Sequence, residues 1–165
     1  FPLCRSLTGY GNVETLQILK KYEKFLKIKK FSSGKKVYDW TVPLEWRLKK
    51  AQVHDKFGKK IIDYKSNNLQ VIGYSAPKKK IVNKKELLKN ISTLSKQPNA
   101  IPYITSYYRK RWGFCLSHNK KNEINRKYDD QDKFKIVIDS KFVKGKLHYG
   151  EYIIKGKSSL LIKKI

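Results

Sequence analysis

Residues 101–118 read IPYITSYYRKRWGFCLSH, and the chain's organisation is clearest when read outward from this run. Five aromatics (Tyr103, Tyr107, Tyr108, Trp112 and Phe114) surround three consecutive cations, Arg109, Lys110 and Arg111. Aromatic side chains carry a large apolar area that is costly to leave in water, and the Arg guanidinium presents a fork suited to carboxylates and phosphates. Strands are predicted on either side of the cations, over 103–107 and 112–117, so that the run forms a hairpin.

Upstream, Asn12 is a good helix N-cap, and Val13, Leu16, Leu19, Tyr22 and Leu26 recur at helical spacing, predicting a packing helix over 13–27. Phe31-Ser32-Ser33-Gly34 ends it with turn chemistry. Short apolar runs then predict strands at 37–42, stopped by Pro43, and at 45–54, 60–64 and 68–74, with turns at 56–59 and Ser66-Asn67. Asn83 followed by Glu86 resembles a capping box and predicts a short helix over 86–93. Pro98 and Pro102 bracket an extended connection. Downstream, 119–133 reads as a polar loop and 134–139 and 150–154 as strands. The pattern is α+β, mainly antiparallel and β-rich after the first helix.

The 165 residues suffice for one ordinary domain with a real core. No stretch approaches the roughly 20 apolar residues that span a bilayer, so no membrane partner is expected. The formal charge is +26, from 39 basic and 13 acidic residues, which invites a polyanion partner. Only five of the 39 are Arg, at 5, 47, 109, 111 and 126, whereas base and phosphate recognition favours Arg. Abundant Lys, Ile, Asn and Tyr beside scarce Ala is what an AT-rich genome writes onto a tolerant surface. Nucleic acid is therefore expected only through non-specific charge attraction. Two cysteines, Cys4 and Cys115, are too few for a disulfide framework and form no CxxC pair, which makes the cytoplasm the default compartment.

The chemistry-bearing residues are sparse. Cys115 and His118 have C-x-x-H spacing, but residues three apart on a strand face opposite ways, so Cys115 is expected to be a buried structural thiol. His54, His118 and His148 are far apart and in no zinc-hydrolase spacing. Gly9-Tyr10-Gly11 lacks the preceding strand and third glycine of a phosphate loop. Asp129, Asp130 and Asp132 lack the central Gly and closing Glu of a calcium loop and read as a solvated turn. Trp40 and Trp46 flank Pro43 and suit either a core or a ligand-facing surface.

Five phrases taken in order carry a resemblance: FPLCRSLTGYG, SSGKKVYDWTVPLEW, NNLQVIGYSAP, QPNAIPYITSYYRKRWGFCLSH and VIDSKFVKGKLHYGEYIIKG. Together they resemble the N-terminal part of a bacterial aminopeptidase-like family, described as domains of unknown function or as polysaccharide-biosynthesis proteins with an aminopeptidase-like domain. The resemblance covers about residues 1–157. It implies a zinc-exopeptidase-like α/β core interrupted by a mainly antiparallel, β-rich inserted domain with one short helix. Residues 1–34 would be the N-terminal helical segment of the core, 35–157 the inserted domain, and 158–165 the start of a truncated core strand near Leu160. The tail after Ser158 departs from the family pattern, and both ends are expected to be cut.

On this resemblance the zinc of the full-length parent is bound beyond Leu160, and this chain holds no cofactor of its own. The family motif maps onto Tyr107, Tyr108, Arg111, Trp112, Gly113, Phe114, Cys115 and His118. Of these, Arg111, Trp112, Tyr107, Tyr108 and His118 are the candidate substrate-facing residues, with Arg111 and the flanking aromatics expected at the cleft to position a substrate or its carboxylate. The expected function is that of an N-terminal fragment of a zinc-dependent aminopeptidase-like hydrolase, lacking the metal site and inactive alone. Its partners would be the remainder of its own catalytic domain and a second copy in a homo-oligomer. Two other classes remain open: a basic module for nucleic acid or another acidic polymer, and a structural oligomerisation insert.

Overall fold

The computed structural model describes residues 3–156, so the strand expected near Leu160 and the segment 158–165 lie outside the described residues. The centre is a four-stranded antiparallel sheet made of β4 (Glu45–His54), β5 (Lys60–Asp63), β6 (Lys78–Asn83) and β9 (Lys133–Val143), in the order β5-β4-β9-β6. The two longest strands lie side by side, with Trp46 opposite Phe142 and Val53 opposite Ile136. On β9, Phe134, Ile136 and Ile138 are buried while Lys133 and Lys135 are exposed and Val137 is half-buried, the period-2 alternation of a sheet with one face on the core.

Ala51 and Val53 of β4, Ile62 of β5 and Val82 of β6 complete the inner face. Against it pack Leu87 of α2 (Lys84–Lys89), Ile124 of α3 (His118–Lys127), and Ile91, Phe114 and Leu116. Ile91 and Phe114 belong to a short parallel pair, β7 (Ile91–Ser92) and β8 (Phe114–Cys115). Apart from this layer, α1 (Tyr10–Tyr22) lies beside a two-stranded antiparallel ribbon of β1 (Lys27–Ser32) and β10 (Lys146–Glu151).

The class is α+β and mostly antiparallel, as the patterning indicates, but two α-helices, α2 and α3, stand where a single short one is expected after the first. The polar run 119–133 contains α3: Ser117 accepts from the Lys120 N–H, Lys120 pairs with Glu123 at 2.7 Å, and Ile124 is buried. A helix this polar shows only one apolar anchor, which is why its sequence resembles a loop. The first helix begins at Tyr10 and stops at Tyr22 rather than spanning 13–27. Asn12 lies inside it, and residues from Lys27 onward pair with β10 instead.

The run 37–42 is a tight hairpin, β2 (Lys36–Val37) with β3 (Trp40–Thr41), turning at Tyr38 with φ 56°. The expected strand over 68–74 is one 3₁₀ turn, Asn68–Gln70, capped by Asn67, followed by irregular backbone with Tyr74 at φ 62°. The helix over 86–93 is α2 followed by β7; its capping residue Asn83 does accept from the Glu86 N–H. Residues 103–107 contribute only a single bridge, Thr105 to Gly73, not a hairpin strand. The lysine run at 78–80 opens the unpredicted edge strand β6, where charged side chains suit an exposed edge.

Asp55 closes the β4–β5 turn. Its carboxylate accepts from the Phe57 and Lys59 N–H groups and from Tyr128 Oη at 2.8 Å. Burial alone would raise its pKa, but these hydrogen bonds hold the carboxyl below the ordinary carboxylate range. A depressed folded value adds stability above the unfolded pKa of about 3.9 and loses it as pH falls through the folded value. Asp55→Asn is therefore expected to cost about 2 kcal/mol in urea unfolding at pH 7. The gap from the unsubstituted chain should narrow below about pH 4; a gap independent of pH would refute the assignment.

Candidate functional site

Tyr74 and Ser75 place the run 101–118 on the sheet. Ser75 is fully buried, and its carbonyl accepts from Trp46 Nε1 at 3.0 Å and from Ser140 Oγ at 2.8 Å. Its own Oγ donates to the Ile72 carbonyl at 2.7 Å. Tyr74 stacks on Trp46 with ring centroids 5.9 Å apart, and its hydroxyl shares a 2.6 Å hydrogen bond with Thr8 Oγ1. Tyr107 meets Tyr74 edge-on at 4.8 Å, Tyr108 meets Tyr107 at 6.4 Å, and Trp40 Nε1 donates to Tyr108 Oη. Tyr107 and Tyr108 thus join an aromatic cluster that also contains both tryptophans flanking Pro43.

The other expected site residues are dispersed. Arg111 is exposed, and its carbonyl accepts from the Ala76 N–H at 2.9 Å. Trp112 packs against the core with Lys78 Nζ 5.7 Å from its ring centroid. Gly113 fits between Ile72 and the Asn90 carbonyl, where a Cβ would lie 2.7 Å and 2.8 Å from its neighbours. His118 opens α3, with Nδ1 3.1 Å from Thr93 Oγ1. Cys115 is fully buried; burial pushes its thiol up to about 11, against the opposing effect of the Arg111 charge.

A cleft of about 710 Å³ opens on the other side of Tyr107, between residues 3–7, α1, the 3₁₀ turn and β10. Leu3, Leu7, Leu16, Leu69 and Leu147 form its aliphatic walls, and Arg5, Ser6, Tyr103, Tyr107 and His148 also line it. Asn12 Nδ2 donates to the His148 carbonyl at 2.9 Å and the Leu7 carbonyl at 3.4 Å, and Asn68 Nδ2 donates to the Leu3 carbonyl at 2.9 Å. These amides anchor the N-terminal segment over the cleft. At Gly11 a Cβ would collide with the Cys4 carbonyl, so the segment can approach α1 only because this residue is glycine. Ser6 Oγ and His148 Nδ1 are buried with no hydrogen-bond partner among the described residues. Tyr103 hydrogen-bonds Tyr107; partial burial, then that bond, raises its phenol to about 12.

Arg5 and Ser6 are cleft residues that the sequence pattern does not single out, because 1–10 reads as a lead-in loop, and His148, weighed in the sequence only as a zinc ligand, lines the same cleft. The glycines at 9 and 11 and the amide at 12 were the available signal. Among the described residues no group of three His, Cys, Asp or Glu side chains is placed to hold a metal ion. Among the same residues no helix is long and apolar enough to cross a membrane.

A family model described as "Domain of unknown function (DUF2172)" matches residues 45–141, from the first residue of β4 almost to the end of β9. The chain belongs to this family. It is 45% identical over 157 residues to a Clostridium acetobutylicum protein named "Putative polysaccharide biosynthesis protein with aminopeptidase-like domain", covering 95% of this chain and 35% of that protein. A crystal structure described as a "putative peptidase" from Clostridium acetobutylicum superposes with TM-score 0.82 at 46% identity, over 94% of this chain and 36% of that one. The chain therefore spans about a third of the length of the relatives it matches.

The coupling between the two phenols in the cleft is measurable. In the Tyr107→Phe variant, NMR titration of ¹³Cζ-labelled tyrosine should show Tyr103 titrating below about 12. Burial, the larger cause, remains, so the value should stay above the ordinary value of about 10. An unchanged Tyr103 titration would mean that the pair does not interact.

Proposed function

We propose that this chain is the N-terminal part of a zinc-dependent aminopeptidase-like hydrolase and supplies a substrate-facing wall rather than the metal centre. The observation that carries this reading is the 45% identity over 95% of the chain to a protein named for an aminopeptidase-like domain, of which it makes up only 35%. In this reading the zinc and its ligands belong to the remaining length, where the metal activates water for hydrolysis of a peptide-like bond. The chain alone is inactive.

The proposed division puts 1–34 with the hydrolase core and 35–157 in an inserted domain. Exposed apolar side chains on and after α1 support this, with Tyr10 at 79%, Tyr22 at 81% and Phe25 at 79% exposure. Such a surface suits burial against the remainder of the catalytic domain, and a second copy of the chain is the other partner in this reading. Tyr107, Tyr108, Arg111, Trp112 and His118 remain its substrate-facing candidates. The free thiols Cys4 and Cys115 support a reducing compartment, the cytoplasm.

The test compares this chain with a polypeptide of the relatives' length that contains it, using aminoacyl p-nitroanilides. The longer protein should hydrolyse them, lose activity on chelation and regain it with zinc, while the 165-residue chain does nothing. Hydrolysis that survives exhaustive chelation would overturn the zinc reading, and hydrolysis by the short chain would overturn its placement outside the catalytic centre.

A further inference from the structure

The β2–β3 hairpin and the run 101–118 meet at the surface, and both carry residues that packing does not explain. Tyr38 takes a left-handed φ of 56°, a conformation rare for a bulky side chain, yet its ring is 99% exposed and gains nothing from the core. Backbone strain of this kind clusters at functional sites. Two residues on, Trp40 is half-buried and donates through Nε1 to Tyr108 Oη, and Tyr108 is itself 68% exposed. Arg109, Lys110 and Arg111 follow directly, and all three are exposed. Neither they nor Asp39 in the hairpin turn form an ion pair among the described residues, so the local balance stays positive. Two of the chain's five arginines thus stand in one triplet beside exposed aromatics, on a surface otherwise charged by lysine.

Tyr and Trp beside Arg is the composition of a recognition surface, not of drift toward lysine. Its openness decides what it recognises. An apolar side chain seeks an enclosed pocket, and rings as exposed as Tyr38 and Tyr108 enclose nothing. A sugar ring has an apolar C–H face to lay on an aromatic ring and a rim of hydroxyls that stays in water, so an open platform suits it. A single-stranded nucleic acid calls for cations that track its backbone beside successive rings, whereas these cations are consecutive in one short run. Three cations without acidic partners call for negative charge on the ligand, and the Arg forks match a carboxylate.

We propose that the β2–β3 hairpin and residues 108–111 form an open platform that binds an acidic oligosaccharide, one whose sugar rings carry carboxylates. Trp40 and Tyr108 make the stacking surface, Tyr38 at the hairpin turn extends it, and Arg109, Lys110 and Arg111 hold the carboxylates. The inference rests on the reading of Tyr108 and Arg111 as substrate-facing and gives that surface a ligand class. It needs neither zinc nor hydrolysis, so binding at the platform and cleavage of the p-nitroanilides fail separately.

The test titrates the 165-residue chain with trigalacturonate, its neutral methyl ester, and a thymidine oligonucleotide of the same net charge as the acid. Binding is followed by ¹H–¹⁵N NMR at about 150 mM salt, where diffuse attraction between exposed charges is screened. The acid should bind saturably and shift the Trp40 indole N–H while leaving that of buried Trp46 in place. It should bind roughly fivefold or more tightly than the ester or the oligonucleotide. Tyr108→Ala should weaken the acid by roughly fivefold or more, as should the double change Arg109→Gln with Arg111→Gln. Tyr38→Asn removes a ring that buries nothing and installs a residue that accepts left-handed φ. It should weaken the acid by roughly twofold or more at unchanged melting temperature, and it decides the matter should Tyr108→Ala unfold the chain. Phe57→Ala, at an exposed aromatic beside Lys56 and outside the platform, should leave binding unchanged. Equal affinity for acid and ester, tighter binding of the oligonucleotide, no saturable binding, shifts that avoid Trp40, or equal losses in the Tyr38 and Phe57 variants would overturn the proposal.

Discussion

The carbonyl oxygen of Ser75 takes hydrogen bonds from Trp46 Nε1 and Ser140 Oγ, so one backbone atom in an irregular segment ties together the two longest strands. All three residues are buried, and a lost partner would leave a polar group stranded in the core at about 1–3 kcal/mol. On one side of this atom Tyr74 takes a left-handed φ of 62°, which turns its ring onto Trp46 and its hydroxyl toward Thr8. On the other side the Ala76 N–H donates to the Arg111 carbonyl. The irregular segment 71–76 thereby joins the sheet, the N-terminal segment and the aromatic–cationic run.

The functional geometry follows from that junction. Tyr107 is held edge-on by Tyr74, so one face of the aromatic cluster belongs to the core while the tyrosine also borders the cleft. The opposite wall is β10, linked to the helix by the Asn12 hydrogen bond to the His148 carbonyl. The cleft is not local in sequence: residues 3–7 and 147–149 are joined through Asn12, whose amide donates to both the Leu7 and the His148 carbonyls. The family match begins at β4 and ends within β9, so it takes in the sheet and Tyr107 but not the α1–ribbon side of the cleft.

Much of this was legible in the residues. The strand over 45–54 and the Asn83 cap stand where apolar runs and capping chemistry put them, and Cys115 is the buried thiol its strand position implied. The family resemblance, carried by five ordered phrases, agrees with the DUF2172 match and with the 45% identical relative. What was not legible depends on contacts between distant segments. Lysine-spaced apolar residues suit helix and ribbon alike, so their spacing predicts a helix through Lys27, whereas the helix ends at Tyr22 and residues from Lys27 pair with β10. α3 was missed because a single buried isoleucine leaves almost no periodic signal. Arg5 and Ser6 were passed over because a polar residue's lack of a partner is a property of the packed chain.

We propose that this third of the relatives' length provides a ligand-facing wall while the metal chemistry resides in the remainder. Isothermal titration of zinc into the 165-residue chain at neutral pH, under reducing conditions, tests it most directly. No saturable one-to-one binding is expected, because among the described residues no three His, Cys, Asp or Glu side chains are placed to hold a metal ion. Stoichiometric, tight zinc binding abolished by substituting a His, Cys, Asp or Glu residue would contradict it.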